Sequence, residues 1–374
     1  MFTMLKNVEL YAPEYLGTRD ILTAYGKIAL VSDRIDTWQQ LRPEVVDCSG
    51  MVAMPGLVDQ HVHITGGGGE QGPGSTIGPI SPEELMKAGI TTVVGLLGCD
   101  GVGKSVQELL MKARSLEADG LTAFIYTGNY GIPAVTITDR VLTDIVLIDK
   151  VIGAGEIAIS DHRSACPTRN ELAKLAYEAL TGGMLGGKAG VVHLHVGNGR
   201  EGLAPLFDLL ETTDFPVSMF VPTHLNRNRS LFSQAMRYHK EGGTIDLTAG
   251  EHTEEGINVP QCLAMLAESG NGLDRVTVSS DGNGSGAGPT QREAASVAAL
   301  FDDIRTAVTD YGLPLELVLK TVTENPAKTL KIYPQKGKIA VGSDADILLA
   351  EKATLTPRML LVGGRLRQIF TLKR

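Results

Sequence analysis

Two histidines, His61 and His63, stand two residues apart in the segment PGLVDQHVH. Side chains alternate faces along an extended chain, so this pair leaves one face, and at a strand end both rings can meet one cation. Further along, Glu156, His195, His224 and Asp281 each lie at or near the end of an apolar, strand-like segment. Imidazoles mixed with carboxylates suit borderline divalent cations near neutral pH, with zinc as the default. Asp281, in SSDGNGS, is able both to bind a cation and to accept a proton from water, the general-base role that hydrolysis needs. His193 points to the same side as His195 in VVHLHV and is a rival ligand. His195 is preferred because it is nearer the strand end and is followed by Val196 and Gly197. Taken singly, each residue has a plain alternative as a hydrogen-bonded core residue, a solvated loop acid or, for Asp281-Gly282, a turn former. Their recurrence at successive strand ends is what sets the group apart.

The elements that would position them recur along the chain. Strand-like segments are expected at 51–63, 90–98, 122–128, 157–161, 191–196, 219–225, 244–249 and 275–281, separated by Gly-punctuated turns and helical patterns such as SVQELLMKARSLEADG. Eight strand-then-helix units predict an α/β fold, a (β/α)8 barrel of the TIM type, whose chemistry sits on the loops after the strand C-termini. The first ~50 and last ~40 residues read instead as short strands and turns. Residues 1–55 and 336–374 are therefore expected to pair as one small β-sandwich domain, with the barrel over 56–335.

Composition narrows the function classes. Over 374 residues, 43% apolar and 21% charged content leaves ample material for a core and gives no sign of disorder. A net charge of −9 without any Lys/Arg-rich run argues against nucleic acid as a partner. The N-terminal MFTMLKNVEL lacks a signal peptide's apolar core, and no stretch approaches the ~20 apolar residues that span a bilayer, so a cytoplasmic, membrane-free protein is expected. Cys48, Cys99, Cys166 and Cys262 are too scattered for a paired zinc motif and read as reduced thiols.

Taken together, PGLVDQHVH, the GGGGE run, TGNY, ISDHR, PTHLNRN and SSDGNGS resemble the isoaspartyl (β-aspartyl) dipeptidase family of the amidohydrolase superfamily over nearly the whole barrel. Dihydroorotases and hydantoinases are similar in His-x-His and the final Asp, but not in GGGGE, DHR or HLNRN. The resemblance implies two zinc ions per subunit, one held by His61, His63 and Asp281, the other by His195 and His224, with a bridging hydroxide attacking an amide carbonyl. Tyr130 matches the residue that polarises that carbonyl and stabilises the oxyanion. Glu70 would take the dipeptide's ammonium, and Arg163 and Arg227 its two carboxylates. Ser285 and the backbone at Gly68 complete the pocket, and Cys99 stands where the family often has threonine. Glu156 stands where the family carries a carboxylated lysine bridging the metals. It offers the same charge and two oxygens on a shorter arm, so either the backbone approaches the metals, through Ala154-Gly155, or the two-metal geometry loosens. The resemblance also implies a homo-oligomer and a small dipeptide as the partner molecule. Hydrolysis of cyclic amides or N-acyl amino acids is the alternative within the superfamily.

One motif competes. GCDGVGKS, Gly98 to Ser105, fits the phosphate-binding pattern G-x-x-x-x-G-K-[ST] between an apolar strand and a helix, and IVLID at 145–149 resembles a magnesium-binding strand. A nucleotide-binding protein would leave the histidines, Glu156 and Asp281 without a shared purpose. The plainer expectation is a turn with Ser105 as helix N-cap. An inactive barrel scaffold is disfavoured because no metal position has become apolar.

Overall fold

The computed structural model describes residues 2–36, 42–251, 255–270, 272–285 and 293–370. Eight parallel-type strands, each followed by a helix, make up the larger part: β1 (Leu57–Val62), β2 (Ile90–Gly95), β3 (Thr122–Thr127), β4 (Val151–Ile159), β5 (Val191–Val196), β6 (Phe220–Thr223), β7 (Ile245–Thr248) and β8 (Val276–Ser279). Nearly every strand residue is buried, as a sheet covered on both faces requires. β1 to β6 form one continuous parallel ladder and β7 pairs with β8. The Leu225 amide donates to the Asp246 carbonyl across the β6–β7 seam (3.3 Å), and a parallel bridge between Val62 and Gly282 joins the two ends. The result is a curled parallel sheet of the TIM type.

The helices α1 (Pro82–Lys87), α2 (Val106–Ala118), α3 (Val141–Leu147), α4 (Arg169–Gly186), α5 (Ala204–Thr212), α6 (Arg229–Lys240), α7 (Val259–Glu268) and α8 (Ala299–Thr309) follow the strands in order. Their starts are written in the sequence. Ser81 with Glu84 and Thr168 with Glu171 form capping boxes, and Ser105, Asn228 and Asn258 accept first-turn amides.

Beyond strand ends trimmed by one to three residues, two boundaries differ from the sequence expectation. The segment 51–63 is two strands, broken at Gly56, where a Cβ would lie 2.4 Å from the Thr91 side chain. Met51–Pro55 turns away to join another sheet, and only Leu57–Val62 enters the barrel. The fourth strand begins at Val151, not 157, so Glu156 lies within the strand. Its VIGAG opening lies outside the strand expected at 157–161, and its glycine serves close packing: a Cβ on Gly153 would meet Val191 O at 2.5 Å.

Both flanks enter one further sheet. Its strands run in the order Arg365–Ile369, Pro357–Val362, Ile347–Glu351, Met51–Pro55, Phe2–Tyr11, Tyr15–Ala24, Lys27–Ser32. Phe2–Tyr11 is a branch point, pairing in parallel with Glu44–Asp47 through its first half and with Met51–Pro55 through its second. A separate buried cluster, including Leu5, Val8, Leu10, Ile21, Ala53, Ile347 and Leu361, fills this sheet. Among the described residues no helix is long and apolar enough to cross a membrane.

Candidate metal centre

The predicted ligands arrive from separate strands at one end of the barrel. His61 is the penultimate residue of β1 and His63 follows the strand; their rings lie 5.6 Å apart and both present Nε2 to Asp281 Oδ1, at 3.2 and 3.1 Å. Asp281 and His224 follow β8 and β6 in left-handed backbone (φ 50° and 61°), which turns each side chain across the strand end. Glu156 is fully buried and central. Its Oε1 lies 2.6 Å from His195 Nδ1 and 3.0 Å from His224 Nε2, while Oε2 lies 3.6 Å from His61 Nε2. The ligand atoms fall into groups within 4.8 Å of one another: His61, His63 and Glu156; His61, His224 and Asp281; Glu156, His195 and His224.

β4 explains how a glutamate reaches this position. Opposite Val192 to Leu194 of β5, β4 carries one residue more than its partner, a bulge spanning Ala154 to Ile157. Gly155 lies so close to β5 that a Cβ there would stand 2.7 Å from His193 Cβ. The local backbone approach and the extra residue carry the carboxylate inward.

The donor set fits cations. His195 lies between two carboxylates, Nε2 at 3.0 Å from Asp161 Oδ2 and Nδ1 at 2.6 Å from Glu156 Oε1; with its proton on Nε2 toward Asp161, Nδ1 would be free to bind a cation shared with Glu156. His224 Nδ1 lies 2.7 Å from Thr248 Oγ1 and Nε2 3.0 Å from Glu156 Oε1; with its proton on Nδ1 toward Thr248, Nε2 would be free to bind a cation beside the same carboxylate. Among the described residues, Glu156 Oε2 is buried without a hydrogen-bond partner, with His61 Nε2 3.6 Å away. Despite burial, the imidazoles led by His61 hold Glu156 and Asp281 well below the carboxylate range. Burial opposes a charge on His61, yet Glu156 and Asp281 push it up to about 9. Burial, then Arg227, lowers His224 to about 3. The centre is thus a buried anionic pocket that a proton on His61 offsets only in part, an arrangement that cations complete.

His193, the rival ligand, turns away from Glu156. Its Nε2 lies 2.9 Å from His61 Nδ1 and its ring stacks on Tyr126. A fourth group, His61, His193 and Asp246, is compact, but Asp246 already accepts from Gln60, Thr277, Thr223 and Ser279, so its carboxylate is saturated by hydrogen bonds.

A cavity of about 90 Å³ opens over the centre, lined by His63, His195, Asp281 and all of Gly68, Glu70, Cys99, Tyr130, Arg163, Arg227 and Ser285. Ser285 Oγ donates to Glu70 (2.9 Å), which lies 3.6 Å from Arg163 Nη1. Tyr130 Oη lies 2.9 Å from His195 Nδ1, with the Arg163 guanidinium 5.2 Å from its ring centroid. Burial, then Glu156, raises the Tyr130 phenol well above its usual value. Burial, then Glu70, raises the Cys99 thiol to about 11. Arg227 approaches the Val196 carbonyl and Glu251.

Sequence reasoning missed two residues that shape this pocket. Asp161, inside the quoted ISDHR, holds Arg163 and His195 together. Asp144, buried at the start of α3, accepts from Thr127 Oγ1, the Ile137 and Thr138 amides and Thr138 Oγ1, which pins the loop carrying Tyr130. Asp144 immediately precedes the segment 145–149 that resembled a magnesium-binding strand, and residues 145–147 of that segment are the end of α3. The phosphate-loop look-alike is likewise filled from within: Asp100 Oδ1 accepts the Val102 and Gly103 amides, and Ser105 caps α2 as expected. Lys104 donates to the Thr65 carbonyl at 2.6 Å.

Comparison with known proteins agrees with this geometry. The Amidohydrolase family profile matches residues 223–374. The chain is 43% identical to the β-aspartyl dipeptidase of Fervidobacterium islandicum AW-1, solved with a β-Asp-Leu dipeptide, with a TM-score of 0.91, covering 98% of this chain and 96% of that one. A dihydropyrimidinase from Brevibacillus agri shares the fold at 15% identity and a TM-score of 0.67, over 98% and 95% of the two chains. The dihydroorotase of Elusimicrobium minutum is 34% identical over 92 residues, which are 24% of this chain and 20% of that enzyme's length.

Proposed function

Because the chain belongs to the β-aspartyl dipeptidase family of amidohydrolases, we propose that it hydrolyses β-aspartyl dipeptides at a two-metal centre held by His61, His63, Glu156, His195, His224 and Asp281. The observation that carries this is the convergence of those six side chains under a pocket lined by Glu70, Arg163 and Arg227. Bound cations would polarise the amide carbonyl and lower the pKa of the attacking water. Zinc suits the nitrogen and oxygen donors, two ions per chain, with Glu156 as the bridge in place of a carboxylated lysine.

The remaining steps belong to the protein. Asp281, ionised at neutral pH, takes a proton from the attacking water on a carboxylate oxygen and passes it to the leaving nitrogen as the C–N bond breaks. Tyr130 keeps its proton and donates from Oη to the developing oxyanion. Glu70, held by Ser285, faces the substrate ammonium; Arg163 and Arg227 take the two carboxylates, and Gly68 and Cys99 shape the walls. The flank sheet, over 1–55 and 336–374, is read as a small β-sandwich beside a barrel over 56–335. A cytoplasmic homo-oligomer completes the reading.

The test is hydrolysis of β-Asp-Leu, with α-Asp-Leu as control, by zinc-reconstituted and chelator-stripped protein. Zinc-dependent cleavage of the β-linked peptide alone is expected. No cleavage with two zinc ions bound would overturn the substrate and move it to cyclic amides or N-acyl amino acids; cleavage surviving the chelator would overturn the metal role.

A further inference from the structure

Asp161 stands between the two halves of the site. It follows β4, its side chain is 4% exposed, and its two oxygens serve both neighbours. Oδ2 accepts from His195 Nε2 and from Arg163 Nη2, each at 3.0 Å; Oδ1 accepts from Arg163 Nε at 3.0 Å and from the Arg163 amide at 2.8 Å. We propose, resting on the functional reading above, that Asp161 is a positioning residue that couples metal binding at His195 to carboxylate binding at Arg163.

The chemistry requires a carboxylate. By accepting from His195 Nε2, Asp161 favours the tautomer whose Nδ1 lone pair can ligate a cation shared with Glu156. By accepting two guanidinium N–H groups in a fork, it fixes the plane in which Arg163 presents its remaining donors to the pocket. An amide side chain has one acceptor oxygen, so its NH2 must face either His195 or Arg163.

The surroundings give the carboxylate no second position. A Cβ on Gly197 would lie 2.3 Å from Asp161 Oδ2, and one on Gly199 would lie 2.3 Å from Ser160 O, so the backbone after β5 packs onto this turn. The turn is also closed on itself, with the Ser164 amide on Asp161 O at 3.0 Å and Ser164 Oγ on Ala158 O at 2.5 Å. A shift of the His195 ring is therefore transmitted to Arg163. Coupling between two binding sites is reciprocal.

The test is Asp161→Asn, measured in three ways beside the wild type: zinc affinity of chelator-stripped protein, affinity of the stripped protein for β-Asp-Leu by calorimetry, and the ¹⁵N signature of the His195 tautomer. Zinc affinity is expected to fall about 10- to 100-fold, the range for lost outer-shell partners of metal-bound histidines. Dipeptide affinity falls with it, and the Nε2–H tautomer ceases to dominate. Arg163→Met, in contrast, weakens only the dipeptide. Loss of one affinity without the other in Asp161→Asn, or an unchanged tautomer, overturns the coupling. If wild-type protein binds neither zinc nor dipeptide, the functional reading falls and the coupling with it. Should Asp161→Asn lose the native thermal transition, Asp161→Glu replaces it, with the same paired loss expected at smaller size.

Discussion

Asp281 is the acid whose two tasks are hardest to separate, since it faces His61, His63 and the pocket at once. Asp281→Asn keeps one ligating oxygen and the shape of the side chain but cannot accept a proton. It is expected to lower kcat by about 10²- to 10⁴-fold, the usual span for general acid–base catalysis, while zinc content measured by mass spectrometry stays close to two per chain. A kcat near that of the wild type would remove Asp281 from proton transfer. Residue identity carries the chemistry here only because the neighbours are imidazoles: the same aspartate in an apolar pocket would be protonated and inert.

At the scale of elements, β4 sets the position of Glu156 through its bulge and the bare Cα of Gly155. In Gly155→Ala the new Cβ meets His193 Cβ at 2.7 Å and His193 O at 3.0 Å, so β4 must lift away from β5. Overpacking of this kind costs roughly 1–3 kcal/mol. A lowered Tm together with loss of at least one zinc is expected; full zinc occupancy would show that the glutamate does not depend on this approach. β4 is also where the sequence was hardest to read. The barrel rhythm and the strand-end positions of His61, His63, His195, His224 and Asp281 were legible because burial on both faces writes long apolar runs and because ligands cluster at strand ends. Glycines look alike whether they make a turn or allow two strands to touch, so the start of β4 and the break at Gly56 were hidden. Asp161 and Asp144 were hidden for another reason: their work is to accept hydrogen bonds from side chains and amides that only the folded loops bring together, and no motif marks an aspartate as such an acceptor.

For the whole molecule, cations and fold are linked. Zinc at about a thousand times its Kd adds about 4 kcal/mol to stability, so chelation is expected to lower the calorimetric Tm by an amount that grows with the zinc previously present. The metal-free fold has its own pH dependence. His61 is raised to about 9 from an ordinary value of about 6.5, so its protonated form contributes stability that is full below about 6.5 and lost as pH rises through 9. A cation takes the neutral ring. Zinc loading at pH 7.5 therefore displaces that proton, and calorimetry in buffers of different ionisation enthalpy is expected to show the number released falling by about one between pH 7.5 and 10. No change across that range would contradict the charge state assigned to His61.

The flank sheet adds a constraint of timing. Thr3 Oγ1 donates to Gly364 O across 361 residues of chain, and Met51–Pro55, paired on one edge with Phe2–Tyr11, finds the partner for its other edge in Ile347–Glu351. Contacts so distant form late, because the entropy of closing the intervening loop is recovered only once that loop has condensed. During synthesis the barrel lies between the two halves of this sheet, so the edge of Met51–Pro55 stays open until Ile347–Glu351 leaves the ribosome. Since that strand leads through Gly56 directly into the one bearing His61, the closing of this sheet is a clasp fastened next to the first ligand made.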